Sequence, residues 1–320
     1  MASRGLLDQV KLIIPPLNGK LHKGQAGRVG VVGGSADYTG APFFSAISAL
    51  RVGADLSHVI CEPGAGSVIK TYSPDLIVHP IIQEDSTPES VKSQMEGLLE
   101  RLHIIVVGPG LGREERTQSI GRMAIEVAKA QEKYVVLDAD GLWLIQNEPH
   151  LVKDYKRAIL TPNVVEFKRL CDSMKVPKDS PPEELASRLA KAFGNVTIVQ
   201  KGQQDIISNG ERTEVVDIEG GLKRVGGQGD ILSGTVGTFV AWGKNYEEQN
   251  LKGSNDSNLK LQDIPLLAAI GACHITRTAS RLAFQKHGRG VLTSDMLVEI
   301  GPAYSELFGD LGEKGLKGNL

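Results

Sequence analysis

Val225-Gly226-Gly227-Gln228-Gly229-Asp230-Ile231-Leu232-Ser233-Gly234 sets three glycines ahead of a single carboxylate. An apolar run rich in small residues continues through Val236, Phe239 and Val240 to Trp242. This order reads as a tight glycine turn opening straight into a helix. The first turn of a helix offers unpaired backbone N–H groups at the positive end of its dipole. A phosphate can be held there by peptide groups alone. Asp230 would repel such a phosphate, so two roles stand for it. It can cap the helix, or it can take the proton from a hydroxyl that attacks phosphorus.

The segments on both sides alternate between short apolar runs and longer amphipathic ones. Residues 28–32, 57–61, 76–79, 103–107, 134–137, 158–160 and 196–200 read as strands. Helices are expected from Pro42, over 91–102, 117–129 and 183–193, from Asp263 or Pro265 to about Phe284, and from Thr293 to near Pro302. Asn209-Gly210 joins two short antiparallel strands, 204–208 and 213–218. The alternation predicts an α/β fold whose sheet is covered on both faces. One domain over 1–320 is expected, with its core at about 20–300, an exposed loop at 244–261 and a loose tail at 303–320.

Ligands of such sheets gather past the carboxyl ends of the strands, and the chemistry-bearing residues fall there. Gly33-Gly34-Ser35 and Tyr38-Thr39-Gly40-Ala41-Pro42 follow the first strand, as a ligand loop or a plain turn. Gly108-Pro109-Gly110-Leu111-Gly112 follows the fourth, where bare backbone lets a ligand lie close. Asp138 and Asp140 end the fifth, either as a magnesium-linked phosphate site or as a cap and a turn aspartate. Thr161 or Asn163 can cap the helix that follows, and Asn163 and Glu166 share one of its faces, where they meet sugar hydroxyls or hold magnesium through water. Lys201 pairs with nucleotide phosphates or is an ordinary surface charge, and the same choice holds for Lys20, Lys23 and Arg28. His274, amid small and apolar neighbours, reads as a packing histidine.

Composition removes several classes. A formal net charge of -2 carries no excess that would mark a nucleic-acid partner. No run is long and apolar enough for a membrane span or a signal peptide. Cys61, Cys171 and Cys273 are far apart and lack metal-ligand spacing. Free thiols in a reducing compartment, the cytoplasm, are expected.

Five motifs, in their order and spacing, resemble the ATP- or ADP-dependent NAD(P)H-hydrate dehydratases of the ribokinase-like superfamily. They are His22-Lys23-Gly24 with Val31-Val32-Gly33-Gly34-Ser35, Gly108-Pro109-Gly110-Leu111-Gly112, Asp138-Ala139-Asp140, Leu160-Thr161-Pro162-Asn163-Val164-Val165-Glu166-Phe167, and Gly227-Gln228-Gly229-Asp230. The resemblance implies a ribokinase-like fold with a mostly parallel sheet and no separate lid domain. It implies an enzyme, a hydro-lyase of cofactor repair. ATP would drive dehydration of the S form of NADHX or NADPHX to NADH or NADPH, giving ADP and phosphate.

By the same resemblance, Asp230 is the base toward the hydrate hydroxyl. Gly110 and Asn163, Val164, Val165, Glu166, Phe167, Lys168 and Arg169 would contact the hydrate. Lys201, Gly202, Gln203, Gln204 and Asp205 would line the ATP side. So would Gly221, Leu222, Lys223, Arg224, Val225, Gly226, Gly227, Gln228 and Gly229. Mg2+ would bridge the ATP phosphates, with Asp138 and Glu166 in its water-mediated shell. An epimerase as functional partner and a homo-oligomer are also implied. The polar stretch at 244–261 looks like that of a eukaryotic, fungal member, and such members favour ATP. Relatives commonly carry His after Thr-Pro; Asn163 stands there and keeps a hydrogen-bonding role. Two rivals remain: a kinase of the same superfamily that stops at the phosphorylated product, and a dinucleotide-binding protein without turnover.

Overall fold

The computed structural model describes residues 2–17, 22–81, 87–177, 179–251 and 259–309. Its strands are β1 (Arg28–Val32), β2 (Leu56–Cys61), β3 (Ile77–Pro80), β4 (Ile104–Val107), β5 (Tyr134–Leu137), β6 (Ala158–Leu160), β7 (Thr197–Gln200), β8 (Asp205–Ser208) and β9 (Thr213–Val216). The helices are α1 (Ala2–Ile13), α2 (Gly40–Val52), α3 (Pro63–Tyr72), α4 (Pro88–Glu100), α5 (Glu115–Ala130), α6 (Asp140–Asn147), α7 (Val164–Ser173), α8 (Pro182–Ala192), α9 (Gln228–Leu251), α10 (Ile264–His287) and α11 (Thr293–Phe308).

Side chains on a strand alternate between its two faces, and a central strand of a covered sheet is apolar on both. Val29, Val31, Ile104, Val106, Tyr134 and Val136 enter one core, together with residues of α1, α2, α9, α10 and α11. Val32, Ile105, Val107, Val135, Leu137 and Leu160 enter the other, under α4 to α8. The sheet runs β3-β2-β1-β4-β5-β6-β7-β8-β9. Neighbours from β3 to β7 pair parallel, and β8 and β9 add an antiparallel hairpin at one edge. The order in which strands are added reverses at β1 and β4, the kind of switch point at which α/β folds bind ligands.

The start of α9 is positioned by a close helix crossing. A Cβ on Gly234 would stand 1.9 Å from the Ser45 carbonyl of α2, so only glycine lets the two backbones meet. Beside it the Ser45 and Ser233 hydroxyls bond at 3.1 Å.

Two expected boundaries are corrected. The loop expected from 244 is helical as far as Leu251. Tyr246 and Glu247 are buried there, and Arg157 pairs with Glu247 at 2.9 Å, so one face of a polar segment is anchored. Residues 252–258 lie outside the described ones. The tail expected from 303 begins as the last two turns of α11. Ala303 and Phe308 are buried, and Phe308 meets Phe239 and Tyr304 at 5.8 and 5.4 Å between ring centroids. Pro302 is tolerated inside this helix because packing on the core outweighs one lost backbone bond. Residues 310–320 lie outside the described ones.

Candidate active site

Gly227 turns the chain into α9 with φ +97°, a conformation that favours glycine. A Cβ there would also stand 2.8 Å from the Thr293 methyl. The Thr293 hydroxyl donates to the Gly226 carbonyl, which pins the turn to α11. Asp230 follows in the first turn of α9.

Three strand ends meet this turn. Asp138, just past β5, is 1 % exposed. Its Oδ1 accepts from Lys201 Nζ and from Thr161 Oγ1, each at 2.8 Å. Thr161 follows β6 and Lys201 follows β7. A Cβ on Gly229 would stand 3.3 Å from Lys201 Nζ and 3.7 Å from Asp138 Oδ2. Lys201 and Asp138 therefore lie directly under the helix start. Lys201 is not a surface lysine.

Burial, and next the Asp138 carboxylate, push the Asp230 pKa up to about 8, with Lys201 opposing. Burial works against the Lys201 charge too, but Asp138, Glu166 and Asp230 outweigh it and hold its pKa above the ordinary value. The cluster thus sets one half-buried cation among several carboxylates, and it favours the protonated form of Asp230.

The two glycine loops lie against each other at the switch point. Gly34 N and Ser35 Oγ both donate to the Gly110 carbonyl, at 3.1 and 3.0 Å. Gly110 has φ +61°, and a Cβ there would stand 2.8 Å from the Tyr38 carbonyl. Asp140 accepts from Gly112 N at 3.0 Å and from Arg113 Nε at 3.1 Å, so it ties this loop down. Between Asp138 and Asp140 the backbone is strained: Ala139 has φ +48° and ψ -116°.

Asn163 caps α7 in a reciprocal capping box. Its Oδ1 accepts from Val165 N and Glu166 N, and Glu166 Oε2 accepts from Asn163 N at 2.7 Å. Burial raises the Glu166 pKa, against the pull of Lys201. Val164 and Val165 are exposed, as are Lys168 and Arg169. Phe167 departs from the expected hydrate contact. Its side chain turns into the core below α7, as the inward position of an amphipathic helix requires.

Among the residues expected to line the ATP side, Asp205 is corrected. Its Oδ1 accepts from Gly202 N, and its Oδ2 from Arg277 Nε at 2.6 Å, so the carboxylate is spent inside the protein. Arg277 also donates to the Gln203, Ile218 and Gly202 carbonyls. The turn that carries Gly202, Gln203 and Gln204 is clamped by this one guanidinium. Lys223 donates to the Val291 carbonyl at 2.8 Å, so its ammonium is committed to backbone. Gly221 N donates to Ser280 Oγ, Leu222 and Arg224 are exposed, and Val225 packs against the core. Gln228 and Gly229 lie in the first turn of α9.

Magnesium at Asp138 meets a chemical obstacle. A lysine ammonium already holds the oxygen nearest to it, and a divalent cation beside that ammonium would be repelled. Among the described residues no group of three or more His, Cys, Asp or Glu could hold a metal. This donor set fits an ion carried in by nucleotide phosphates. Arg28 opens β1, at the sheet's opposite end, and donates to the Arg101 carbonyl; Lys23 is exposed. Lys20 lies outside the described residues. His274 Nδ1 donates to the Ile270 carbonyl at 2.8 Å within the core, as a packing histidine does.

Sequence reading gave no site role to Arg277, nor to the hydroxyls of Thr161 and Thr293, which bond Asp138 and the Gly226 carbonyl. Arg277 did leave a signal: it stands alone as a cation in the apolar stretch of α10 between Ile264 and Ser280.

The profile of the NAD(P)H-hydrate dehydratase family matches residues 29–302. The ATP-dependent (S)-NAD(P)H-hydrate dehydratase of Mycosarcoma maydis is 49% identical over 314 residues, 96% of this chain and 90% of that one. The human protein of the same name is 51% identical over 305 residues, 94% of this chain and 84% of that one. A ribokinase-like superfamily protein of Enterococcus faecalis superposes with a TM-score of 0.74 at 20% identity, over 95% of both chains. The ADP/ATP-dependent NAD(P)H-hydrate dehydratase of Bacillus subtilis, co-crystallized with ATP/Mg2+, gives 0.65 at 20% identity, over 94% of this chain and 97% of that one. These two likenesses show the ribokinase-like fold.

Proposed function

We propose, from the premise that this chain belongs to the NAD(P)H-hydrate dehydratase family, that it dehydrates the S form of NADHX and NADPHX at the expense of ATP. The observation that carries the reading is the placement of Asp230. One carboxyl with a raised pKa stands in the first turn of α9, with the Lys201–Asp138 pair beneath it.

Hydroxide is a poor leaving group, so the hydrate hydroxyl must first be phosphorylated. Asp230, once ionised, accepts the hydroxyl proton as the oxygen attacks the γ-phosphorus of ATP. ADP leaves. Backbone N–H groups from Gly227 to Asp230 stabilise the charge on the transferring phosphoryl group. Lys201 supplies a fixed positive charge beneath it. The ring nitrogen then expels phosphate from the neighbouring carbon, and loss of a proton from the adjacent carbon restores the ring double bond. Asp138 and Glu166 would hold an ATP-borne Mg2+ only through water, at the distance that the Lys201 ammonium on Asp138 imposes, and the ion would supply neutralisation of phosphate charge.

Gly110, the capping turn at Asn163 and the exposed Val164, Val165, Lys168 and Arg169 would meet the dinucleotide. The clamped turn 202–204 and the segment 221–229 would meet ATP. Because only the S form is consumed, an epimerase that interconverts the two forms is the expected functional partner. A homo-oligomer is proposed, to be tested by light scattering. A cytoplasmic site is proposed on the strength of three buried free thiols, Cys61, Cys171 and Cys273. No helix among the described residues is long and apolar enough to cross a membrane.

The test is incubation with purified hydrate, ATP and Mg2+, following the reduced-nicotinamide absorbance and released phosphate. Both should appear together, and omission of either nucleotide should abolish both. ADP without phosphate or restored absorbance would mean a kinase that stops at the phosphorylated product.

A further inference from the structure

Two of the large side chains that the fold leaves exposed are tyrosines beside this site: Tyr38 at 58% and Tyr72 at 45%. Tyr38 sits on a closed turn after β1, where its amide donates to the Ser35 carbonyl and its carbonyl accepts from Ser35 N. Its Cβ lies 3.0 Å from where a Cβ on Gly110 would stand. The phenol ring therefore leaves the backbone at the edge of the glycine loop. Tyr72, at the end of α3, bonds its hydroxyl to Thr39 Oγ1 at 2.8 Å. Its ring meets Phe43 edge-on at 5.3 Å between centroids.

Phe43 adjoins Phe44 at 5.5 Å, and Phe44 Cδ2 lies 3.2 Å from where a Cβ on Gly227 would stand. Three rings, Phe44, Phe43 and Tyr72, thus run from the phosphate turn to Thr39, and Tyr38 precedes Thr39 beside Gly110. The two phenylalanines pack against the core, whereas both tyrosines are exposed. The fold gains little apolar burial from them. Their backbone and hydroxyl anchors nevertheless fix where they stand.

We propose that Tyr38 and Tyr72 form the platform on which a planar base of the dinucleotide hydrate rests. The proposal deepens the reading of the site given above and rests on it. A flat ring with two rotatable bonds holds a base by stacking at small entropic cost. The hydroxyl bond from Tyr72 to Thr39 ties its ring to the residue that follows Tyr38. The platform lies at Gly110, one side of the cleft, and no residue of the clamped nucleotide turn 202–205 takes part. It should therefore govern the dinucleotide and leave ATP alone.

The test compares wild type with Tyr38→Ala, Tyr72→Ala, Tyr38→Phe and Tyr72→Phe. Calorimetry gives the affinities for NADH, for reduced nicotinamide mononucleotide and for a non-hydrolysable ATP analogue. Loss of base stacking predicts weakening of NADH by about 5- to 150-fold in the alanine variants. Tyr38→Phe should retain the affinity, Tyr72→Phe, which loses the bond to Thr39, should fall between wild type and Tyr72→Ala, and the ATP analogue should bind unchanged throughout. If the mononucleotide weakens as well, the nicotinamide half occupies the platform. If only NADH weakens, the adenine half does. NADH affinity untouched by alanine, or NADH and the ATP analogue weakened together, would overturn the proposal. Hydrate turnover is measured in parallel. Tyrosine-dependent NADH binding without wild-type turnover would sink the activity and keep the platform, whereas full turnover with an unchanged hydrate KM in both alanine variants would do the reverse.

Discussion

Asp230→Asn keeps the size of the side chain and removes its ability to ionise, and it makes two effects run in opposite directions. The carboxyl is raised from 3.8 to about 8, first by burial and then by Asp138. Each pKa unit corresponds to ~1.4 kcal/mol, so the shift bounds the penalty on the ionised form at roughly 6 kcal/mol. Local relaxation and water entry reduce this, and a gain of about 1–3 kcal/mol for the asparagine near pH 8 is a realistic share.

The sign follows from proton linkage. The folded protein holds this proton at pH values where the unfolded chain has released it. The stability that the neutral acid contributes is therefore complete below the unfolded value of 3.8, and it is lost as pH rises to about 8. The asparagine variant has no such loss. Urea unfolding of the two proteins at pH 5 and pH 8, side by side, should show the stability difference growing in favour of Asn with pH. Turnover of the hydrate at saturating ATP should fall by about 10²–10⁴-fold in the same variant. Retained turnover, or a wild type that gains on the variant as pH rises, would refute the role given to this carboxyl.

In the wild type, kcat/KM for the hydrate should rise with pH and level off above the pKa of Asp230, about 8 in the free protein. Lys201→Met removes the cation that opposes the rise, so the limb should move to higher pH. The variant also strands Asp138 in the interior, at a cost of about 3–5 kcal/mol that adding Asp138→Asn should largely restore in a denaturation series. Arg277→Lys breaks the multidentate clamp on the turn 202–205, and losing two or three bonds predicts an ATP KM raised about 5- to 30-fold with the hydrate KM unchanged. Gly110→Ala must adopt φ +61° and meet the Tyr38 carbonyl at 2.8 Å; steady-state kinetics should show the hydrate KM rising well above that for ATP.

Local chemistry made much of this protein legible from sequence. β-branched runs at 28–32, 104–107 and 134–137 are apolar on both faces, and only a covered parallel sheet suits that pattern. The turn at Gly227 needs glycine, and the apolar run after it needs a buried helix, so α9 and its glycine-turn start were readable together. What pattern could not supply was partnership between distant residues. Lys201 and Asp138 lie 63 positions apart, and Arg277 and Asp205 lie 72 apart. An isolated lysine or aspartate looks the same in sequence whether it faces water or a buried counter-ion. The last turns of α9 and α11 were also hidden, because Tyr246 and Phe308 are held by tertiary packing rather than by local propensity. The sequence therefore determined the elements, the glycine turn and the lone acid upon it. Tertiary structure alone decided the pKa of that acid, because burial and the distance to other charges exist only once the chain has folded.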